Sequence, residues 1–436
     1  DTKPKPPHAP LHPRAFIFNN SMLRSISQRA RVAAPVRPLS SAAAGNALDA
    51  DFARDFLNPH DFHRLLTNHG VEFFTGVPDS LLKNYCAYVT DNVDSRNHLI
   101  AANEGGAMAA AAGHYLATGR TPLVYLQNSG LGNIINPLLS LSSKHVYGLP
   151  SLLLIGWRGE PGKRDEPQHT LQGKLMPGML ASMEIASAVL PDYEEGAADV
   201  LNDAFSYMKR HSEPFALMVK KQTFADYTPS SSLANSPYPL SREEAYRHLL
   251  PLLGPYDPIV STTGFASREV YEIRDEGFDP GQGDHSRDFL TVGSMGHASS
   301  IALGIALAKP SRTVVCLDGD GAMGMHMGNA MSVGLRKPSN YLHVLINNGV
   351  HDSVGAQPTG AYSLDFEKIS LGLGYGHYAR AEDADGIAAA YAECKANKSG
   401  ASFLEIRTRP GARTDLGRPK TKPEQNRDAY MEFLRA

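Results

Sequence analysis

The sequence contains only three cysteines, one tryptophan and no long hydrophobic run among its 436 residues. Cys86, Cys316 and Cys394 are odd in number and widely spaced, so they match neither a disulfide framework nor a zinc-ligand pattern. No apolar stretch approaches the roughly 20 residues that span a bilayer. The net charge is only −3, which gives no electrostatic reason to expect nucleic acid or an anionic membrane as a partner. These features predict a globular protein of a reducing compartment.

Acidic residues are absent between Asp1 and Asp49, where arginines are interleaved with serine and alanine. The segment that starts at Met22, MLRSISQRARVAAPVRPLSSAAAG, resembles a mitochondrial transit peptide because it is rich in arginine and serine and poor in acid. A plain disordered basic tail is the alternative. We therefore expect residues 1–50 to be a disordered leader and the protein to be mitochondrial, or cytoplasmic if the segment is only a tail.

From Asn58 onward, strand and helix signals alternate, which is typical of α/β folds with a largely parallel sheet. Asn58-Pro59 predicts a helix start and Gly70 its end. A segment rich in serine and proline, residues 226–241, interrupts the alternation and predicts a linker. We therefore expect two α/β domains, residues 51–225 and 242–436, each a mostly parallel sheet flanked by helices. The strand candidates are VEFFTG, PLVYLQ, SLLLIGW and PFALMVK before the linker, and PIVSTTG, TVVCLDGDG, YLHVLINNG and SFLEIRTRPG after it.

A Gly-Asp-Gly sequence, residues 319–321, lies between an apolar strand candidate and a helix. Glycines and a helix N-terminus at the carboxyl edge of a parallel sheet favour phosphate binding, and Asp320 offers a carboxylate to Mg²⁺. Asn347-Asn348 ends the next strand candidate, with 25 residues between Gly321 and Asn347. Together these residues resemble the metal–diphosphate motif of thiamine-diphosphate enzymes. The resemblance implies that Mg²⁺ binds the Asp320 and Asn348 side chains and the Val350 carbonyl, and that Gly319 and Gly321 contact the cofactor.

Glu104 opens the alanine-rich helix candidate NEGGAMAAAAGHYLATG in the half that lacks Gly-Asp-Gly. An acidic residue at a helix start is also ordinary helix chemistry. The segment resembles the glutamate helix of the same enzymes, which implies that Glu104 hydrogen-bonds to a nitrogen of the cofactor's aminopyrimidine ring and acts in acid–base catalysis. The first half would then be the pyrimidine-binding (PYR) domain, and the second the diphosphate-binding (PP) domain.

The segment VGSMGHASSIALGIALA in the second half resembles the stretch that contacts the pyrimidine and thiazolium rings in these enzymes. By position, Gly293 would offer its carbonyl to the exocyclic amine of the cofactor. Met295 would be the bulky residue that holds the cofactor in its bent shape. A core methionine beside tight-turn glycines is the structural alternative.

Only a linker separates the halves, whereas most thiamine-diphosphate decarboxylases carry a middle domain there. The sequence therefore resembles the compact decarboxylases that act on phosphonopyruvate and sulfopyruvate, over about residues 55–410. The matching strings are FTGVPDSLLKN, QNSGLGNIINPL, WRGEPGKRDEPQH, STTGFASRE, GSMGHAS and NNGVHDSVGAQPT. The resemblance implies decarboxylation of 3-phosphonopyruvate to phosphonoacetaldehyde and CO₂ in 2-aminoethylphosphonate biosynthesis. Sulfopyruvate decarboxylation and a non-catalytic cofactor-binding scaffold are the alternatives.

A phosphonate needs fixed donors and positive charge. The candidates in the matching strings are Arg158, Arg268, Lys163 and Arg164, together with the Ser129-Gly130 turn, although surface solvation is the alternative for each.

The resemblance also implies further catalytic candidates: Asp79 and Ser80 over the thiazolium ring, and His297 and His351 as proton donors. Because the halves of relatives come from different subunits, we expect a homodimer or homotetramer with active sites at the subunit interface. The predicted small-molecule partner is an anionic 2-keto acid.

Overall fold

The computed structural model describes residues 56–230, 236–276, 278 and 283–436. The predicted leader, residues 1–50, lies outside the described residues, as do residues 231–235 of the predicted linker. The boundaries at residues 225 and 241 therefore stay predictions, and so does the transit peptide.

The first sheet is formed by six parallel strands in the order β2-β1-β3-β4-β6-β5. Its central strands are almost completely buried because helices cover both faces, as continuous apolar runs in a parallel sheet require. The strands are β1 (Phe74–Gly76), β2 (His98–Ile100), β3 (Leu123–Gln127), β4 (Leu152–Gly156), β5 (Ala186–Val189) and β6 (Phe215–Val219).

Within the described residues, six α-helices lie before or between these strands. The first begins as the sequence predicts, because the Asn58 side chain accepts a hydrogen bond from the His60 N–H and Pro59 occupies the first helical position. Gly70 follows the helix with a φ of 82°. The helices are α1 (Pro59–Asn68), α2 (Lys83–Asn92), α3 (Glu104–Thr118), α4 (Leu131–Pro137), α5 (Pro167–Ser182) and α6 (Glu194–His211).

The second sheet is also formed by six parallel strands, in the order β13-β14-β10-β9-β7-β8. A short antiparallel pair, β11 and β12, follows the central strand β10. The strands are β7 (Ile259–Ser261), β8 (Asp288–Leu290), β9 (Val314–Gly319), β10 (Tyr341–Asn347), β11 (Val350–His351), β12 (Gln357–Pro358), β13 (His377–Ala381) and β14 (Ser402–Arg407).

The helices of this half flank its sheet in the same way. A capping box at Ser241 and Glu244 starts the first of them directly after the predicted linker. They are α7 (Arg242–Leu249), α8 (Phe265–Asp275), α9 (Ala298–Ala308), α10 (Asp320–Met325), α11 (Gly328–Arg336), α12 (Phe366–Leu373), α13 (Ala384–Ala396) and α14 (Pro423–Arg435).

Buried apolar residues form two clusters in each half, one on either face of the sheet. Each half therefore has its own core. The predicted fold class is confirmed: two mostly parallel sheets flanked by helices, with no middle domain between them. Within the part of the chain that the structure describes, no helix combines the length and apolar character needed to cross a bilayer.

Candidate active site

A cavity of about 590 Å³ is lined by residues from both halves of the chain. Many of these residues end a strand or directly follow one, including Val77 after β1, Gln127 at the end of β3, Gly319 at the end of β9 and Asn348 after β10. The carboxyl edge of a parallel sheet is the usual ligand-binding edge. In this structure, two such edges contribute to one cavity within a single chain.

Most of the predicted site residues line this cavity. They are Glu104, Ser129, Gly130, Arg158, Arg268, Gly293, Met295, His297, Gly319, Asp320, Gly321, Asn348, Val350 and His351. Asp79, Ser80, Lys163 and Arg164 are not among the residues that line it. Lys163 and Arg164 are instead exposed to solvent.

Glu104 is the first residue of α3 and only 4% exposed. Asn103 caps the helix, since its side chain accepts a hydrogen bond of 2.8 Å from the Gly106 N–H. The Asn133 side-chain amide donates to Glu104 Oε2 over 2.7 Å. Burial raises the pKa of the Glu104 carboxyl, while the bond from Asn133 acts in the opposite direction. The cavity wall therefore contains an oriented carboxyl group whose pKa is above its ordinary value.

Gly130 explains how the Glu104 carboxyl is accommodated. A Cβ atom on this residue would lie 2.1 Å from Glu104 Oε1, a distance that no real contact reaches. The turn after β3 therefore requires glycine at this position for Glu104 to keep its place.

Asp320 begins α10 directly after β9 and is 5% exposed. Burial raises the pKa of its carboxyl to about 6. The charged form is stabilised by the Thr359 hydroxyl, which donates to Oδ2 over 2.5 Å, and by backbone N–H groups that include those of Gly321 and Gly349. None of these groups carries a positive charge. A buried carboxylate without a positively charged neighbour is stabilised when a cation binds to it.

Asn348 lies next to this carboxylate because β9 and β10 are paired, with Gly319 opposite Ile346. Its Nδ2 donates to Asp352 Oδ2 over 2.7 Å, which fixes the orientation of the amide. The side-chain oxygen accepts a 3.2 Å bond from the Val350 N–H. Asp320, Asn348 and Val350 all line the cavity, and a carboxylate, an amide and a backbone carbonyl are oxygen ligands of the kinds that Mg²⁺ prefers.

Arg242 supports this arrangement from the start of α7, a role that was not predicted from the sequence. Its guanidinium donates to both carboxylate oxygens of Glu269, over 2.7 and 2.8 Å, and to Asp352 Oδ2 over 3.0 Å. Because Asp352 also binds Asn348, Arg242 holds the amide indirectly. Arg242 is therefore a positioning residue.

The two candidate histidines have different surroundings. Burial lowers the pKa of His351 to about 4, so this side chain is uncharged at neutral pH. It packs closely on Gly321, where an added Cβ would lie 2.8 Å from the ring. His297 is exposed, and its ring lies 4.4 Å from that of His326. A neutral His351 can donate only an imidazole N–H, which limits the predicted proton-donor role.

Gly293 and Met295 lie in the turn between β8 and α9. Ser294 has a positive φ of 55° and Gly296 one of 85°, so the turn is tightly constrained. A Cβ on Gly296 would lie 2.7 Å from the His326 ring. The turn thus projects Gly293 and Met295 into the cavity wall.

Arg158 uses most of its donors within the protein. Its Nε donates to Asp165 Oδ2 over 2.8 Å, Nη2 contacts the other oxygen, and Nη1 donates to Ser80 over 2.9 Å. Ser80 is therefore one contact away from the cavity. Asp79 is completely buried and accepts hydrogen bonds from Gln127 and the Leu81 N–H.

Arg268 lies in α8 and donates to Glu166 Oε1 over 3.0 Å. Arg418, which lies before α14, donates to the same oxygen. All three residues line the cavity. Neither Glu166 nor Arg418 was a sequence candidate, although Glu166 belongs to one of the matching strings.

The comparisons with known proteins agree with this geometry. Residues 60–179 match the family described as "Thiamine pyrophosphate enzyme, N-terminal TPP binding domain", and residues 281–406 match its "C-terminal TPP binding domain". Phosphonopyruvate decarboxylase of Streptomyces hygroscopicus is 34% identical over 84% of this chain and 92% of its own length. The enzyme of that name from Streptomyces viridochromogenes is 33% identical over 85% and 93%. Sulfopyruvate decarboxylase of Methanosarcina acetivorans is 27% identical over 85% and 96%.

The chain belongs to the thiamine pyrophosphate enzymes, with the N-terminal and C-terminal cofactor-binding domains in that order. Its cofactor is thus thiamine diphosphate. Within this class it belongs to the phosphonopyruvate and sulfopyruvate decarboxylase group, and it is a carboxy-lyase.

Proposed function

We propose that this enzyme decarboxylates 3-phosphonopyruvate to phosphonoacetaldehyde and CO₂, with thiamine diphosphate and Mg²⁺, in phosphonate biosynthesis. The observation that carries the proposal is the single cavity that has the Glu104 carboxyl in its wall from one half and Asp320 and Asn348 from the other. The similarity to two phosphonopyruvate decarboxylases over nearly their whole length supports the choice of substrate.

The site residues fit this cofactor chemically. Glu104 is a buried carboxyl whose pKa is raised, so it can share a proton with a ring nitrogen. Asp320, Asn348 and the Val350 carbonyl would hold Mg²⁺ against the diphosphate, and Gly319 and Gly321 would let the backbone approach it. Gly293 and Met295 would contact the rings. When bound, the cofactor supplies the electron sink for breaking the carbon–carbon bond.

The remaining residues would act on the substrate and its proton. Arg158 and Arg268 would favour an anionic 2-keto acid, and the Ser129-Gly130 turn would offer backbone N–H groups. His297 and His351 would take part in proton transfer to the carbon that loses CO₂, while Asp79 and Ser80 would hold Gln127 and Arg158 in place.

A steady-state assay with purified enzyme, thiamine diphosphate and Mg²⁺ tests this function. We expect phosphonoacetaldehyde as the product and a higher kcat/KM for phosphonopyruvate than for sulfopyruvate. The sulfopyruvate relative makes sulfopyruvate decarboxylation the second candidate. A higher kcat/KM for sulfopyruvate would replace our substrate with that one, and no turnover of either would favour a non-catalytic scaffold.

We further propose a homodimer or homotetramer in which facing PYR and PP halves belong to different subunits, as in the enzymes that the sequence resembles. Exchange of an identical domain between two chains preserves the contacts across the cavity. Exposed apolar side chains on neighbouring helices support association, namely Leu307 on α9 with Met331 and Leu335 on α11.

Mixing two inactive variants, Glu104→Gln and Asp320→Asn, tests this assembly. If the halves are exchanged, a mixed dimer contains one doubly altered site and one intact site, so activity returns. Mixed oligomers that form but stay inactive would contradict the exchange.

Mitochondrial localisation also belongs to the proposal. It rests on the arginine- and serine-rich segment that starts at Met22. A fluorescent protein fused after residues 22–55 should enter mitochondria, and diffuse cytoplasmic fluorescence would contradict import.

A further inference from the structure

The arginines in the cavity wall differ in how fully their charge is compensated. Among the described residues that line the cavity, the arginines are Arg158, Arg242, Arg268 and Arg418. Arg158 is paired with one carboxylate through two donors. Arg242 is paired with two carboxylates. Neither therefore has positive charge in excess.

Arg268 and Arg418 differ because they share a single carboxylate. Nη2 of Arg268 and Nε of Arg418 both donate to Oε1 of Glu166. Two guanidinium charges thus face one carboxylate charge, which leaves one positive charge at this part of the wall.

The charged groups around Arg268 also indicate an excess of positive charge. Burial lowers the pKa of its guanidinium, Glu166 raises it, and the positive charges of Arg418 and Arg158 lower it further. The nearby cations therefore repel each other in a partly desolvated place, where an additional anion is favoured.

The three residues also have open space beside them. A second cavity of about 90 Å³ is lined by Glu166, Arg268 and Arg418, together with backbone and side chains around Ser267 and Asn426. Glu166, Arg268 and Arg418 therefore line both cavities. Guanidinium groups with unused N–H donors are suited to the oxygens of a phosphonate.

We propose that Arg268 and Arg418 bind the phosphonate group of the substrate and that Glu166 sets the charge of this subsite. The proposal rests on the proposed function and adds Arg418 and Glu166 to the residues that determine specificity. With Glu166 in place the pair carries one excess positive charge, so the subsite accepts an acidic tail and rejects an uncharged one.

Inhibition of the holoenzyme by methylphosphonate, which lacks the reacting keto acid, tests the site. We expect Arg268→Gln and Arg418→Gln each to raise its inhibition constant by about tenfold or more, the loss of a charge-assisted hydrogen bond. The KM for phosphonopyruvate should rise with it while kcat changes little. Arg418→Lys should recover part of the loss.

Arg427→Gln is the matched control, since Arg427 is exposed on α14 and pairs with Asp428 outside the cavity. It should leave inhibition and KM unchanged. Unchanged methylphosphonate inhibition in both cavity variants, with normal melting temperatures, would overturn the proposal.

Glu166→Gln gives an independent test, because it removes negative charge without removing a guanidinium. We expect this variant to bind methylphosphonate more tightly than the wild type does. The gain in affinity should be larger for methylphosphonate than for methylsulfonate, because a dianion gains more than a monoanion from the second positive charge. An equal or weaker response to the phosphonate would contradict the role of Glu166.

Calorimetric binding of methylphosphonate to the wild-type holoenzyme separates the two claims. Binding that depends on Arg268 and Arg418, without turnover of phosphonopyruvate, would refute the proposed function and uphold the anion subsite. Turnover of phosphonopyruvate that is insensitive to both arginines would refute the subsite and uphold the function.

Discussion

At the residue scale, the Glu104 carboxyl is held by two neighbours of different kinds. The Asn133 amide donates to one oxygen, and Gly130 leaves the space that the other oxygen occupies. A helix N-terminus further favours the charged form, whereas burial favours the neutral one. The net result is a pKa of the Glu104 carboxyl above its ordinary value.

Gly130→Ala should therefore lower kcat because it displaces the Glu104 carboxyl, without removing any catalytic group. The added methyl group would collide with Glu104 and displace its carboxyl, so we expect kcat to fall by about 100-fold, in line with the cost of a misplacement of about 1 Å. Steady-state kinetics with saturating cofactor measures this loss.

Gly132→Ala is the control for that experiment. Gly132 lies two residues further along, in α4, and an added Cβ there has no neighbour within 4 Å. This variant should keep wild-type activity. Equal activity of both variants would show that the space at Gly130 is unimportant.

The raised pKa of Asp320 predicts how the affinity for Mg²⁺ depends on pH. Its pKa of about 6 means that the carboxyl is largely protonated below that pH and charged above it. Mg²⁺ must displace the proton, so its apparent affinity should fall by about tenfold for each pH unit below 6 and level off above 7. Titration of the cofactor-free protein between pH 5 and 8 measures this, with Asp320→Asn as the comparison. An affinity that is constant over this range would contradict the assignment.

At the element scale, the site depends on which strand ends are neighbours. Pairing of β9 with β10 brings Gly319 and Asn347 to the same edge of the sheet, and the turn after β10 supplies Val350 and Asp352. Arg242 reaches this turn from α7, at the end of the predicted linker. Asn348, a proposed metal ligand, is thus oriented through Asp352 by a residue that lies more than 100 positions away in the sequence.

Asp352→Asn tests this support. Loss of the charge weakens the bond to Arg242 and leaves one side-chain oxygen where Asp352 uses two, so Mg²⁺ affinity should fall by about 10- to 100-fold. Asp415→Asn is the control because Asp415 is 79% exposed and pairs only at the surface, with Arg413. Magnesium-dependent activity measures both, and a normal magnesium requirement in Asp352→Asn would rule out the positioning role.

The sequence predicted the central strands of both sheets but not their edges. The eight strand candidates correspond to β1, β3, β4 and β6 and to β7, β9, β10 and β14. In the two six-stranded sheets, the missed strands are β2, β5, β8 and β13, which are the edge strands. The short antiparallel pair β11 and β12 was also missed. Central strands are covered on both faces and therefore appear in the sequence as apolar runs, whereas β5 alternates between half-buried and exposed residues.

The site likewise contains residues that the sequence predicts and residues that it does not. Residues in long motifs, such as Glu104, Asp320 and Asn348, were found because the family pattern identifies them and the fold brings them to one cavity. Arg418 and Glu166 were missed because their role comes from a contact across 252 positions. Arg242 was missed because a single basic residue at a helix start carries no signal of its buried partners.

At the scale of the whole molecule, two separately cored α/β halves contribute one set of groups each to a shared cavity. The proposed function assigns acid–base chemistry to Glu104 of the PYR half and Mg²⁺ binding to Asp320 and Asn348 of the PP half, and all three residues line the cavity. Neither half contains both parts. Activity should therefore require the two halves to face each other, while cofactor affinity should depend mainly on the second half.

Glu104→Gln tests this division most directly, because it replaces a proton-exchanging group with one of the same size. Thiamine diphosphate binding, measured by calorimetry in the presence of Mg²⁺, should stay within about threefold of wild type, whereas kcat should fall by at least the 100-fold typical of a lost acid–base group. In Asp320→Asn, by contrast, the main effect should be on the affinity for thiamine diphosphate, which should be weaker than in the wild type. A Glu104→Gln enzyme that retained wild-type turnover would contradict the account.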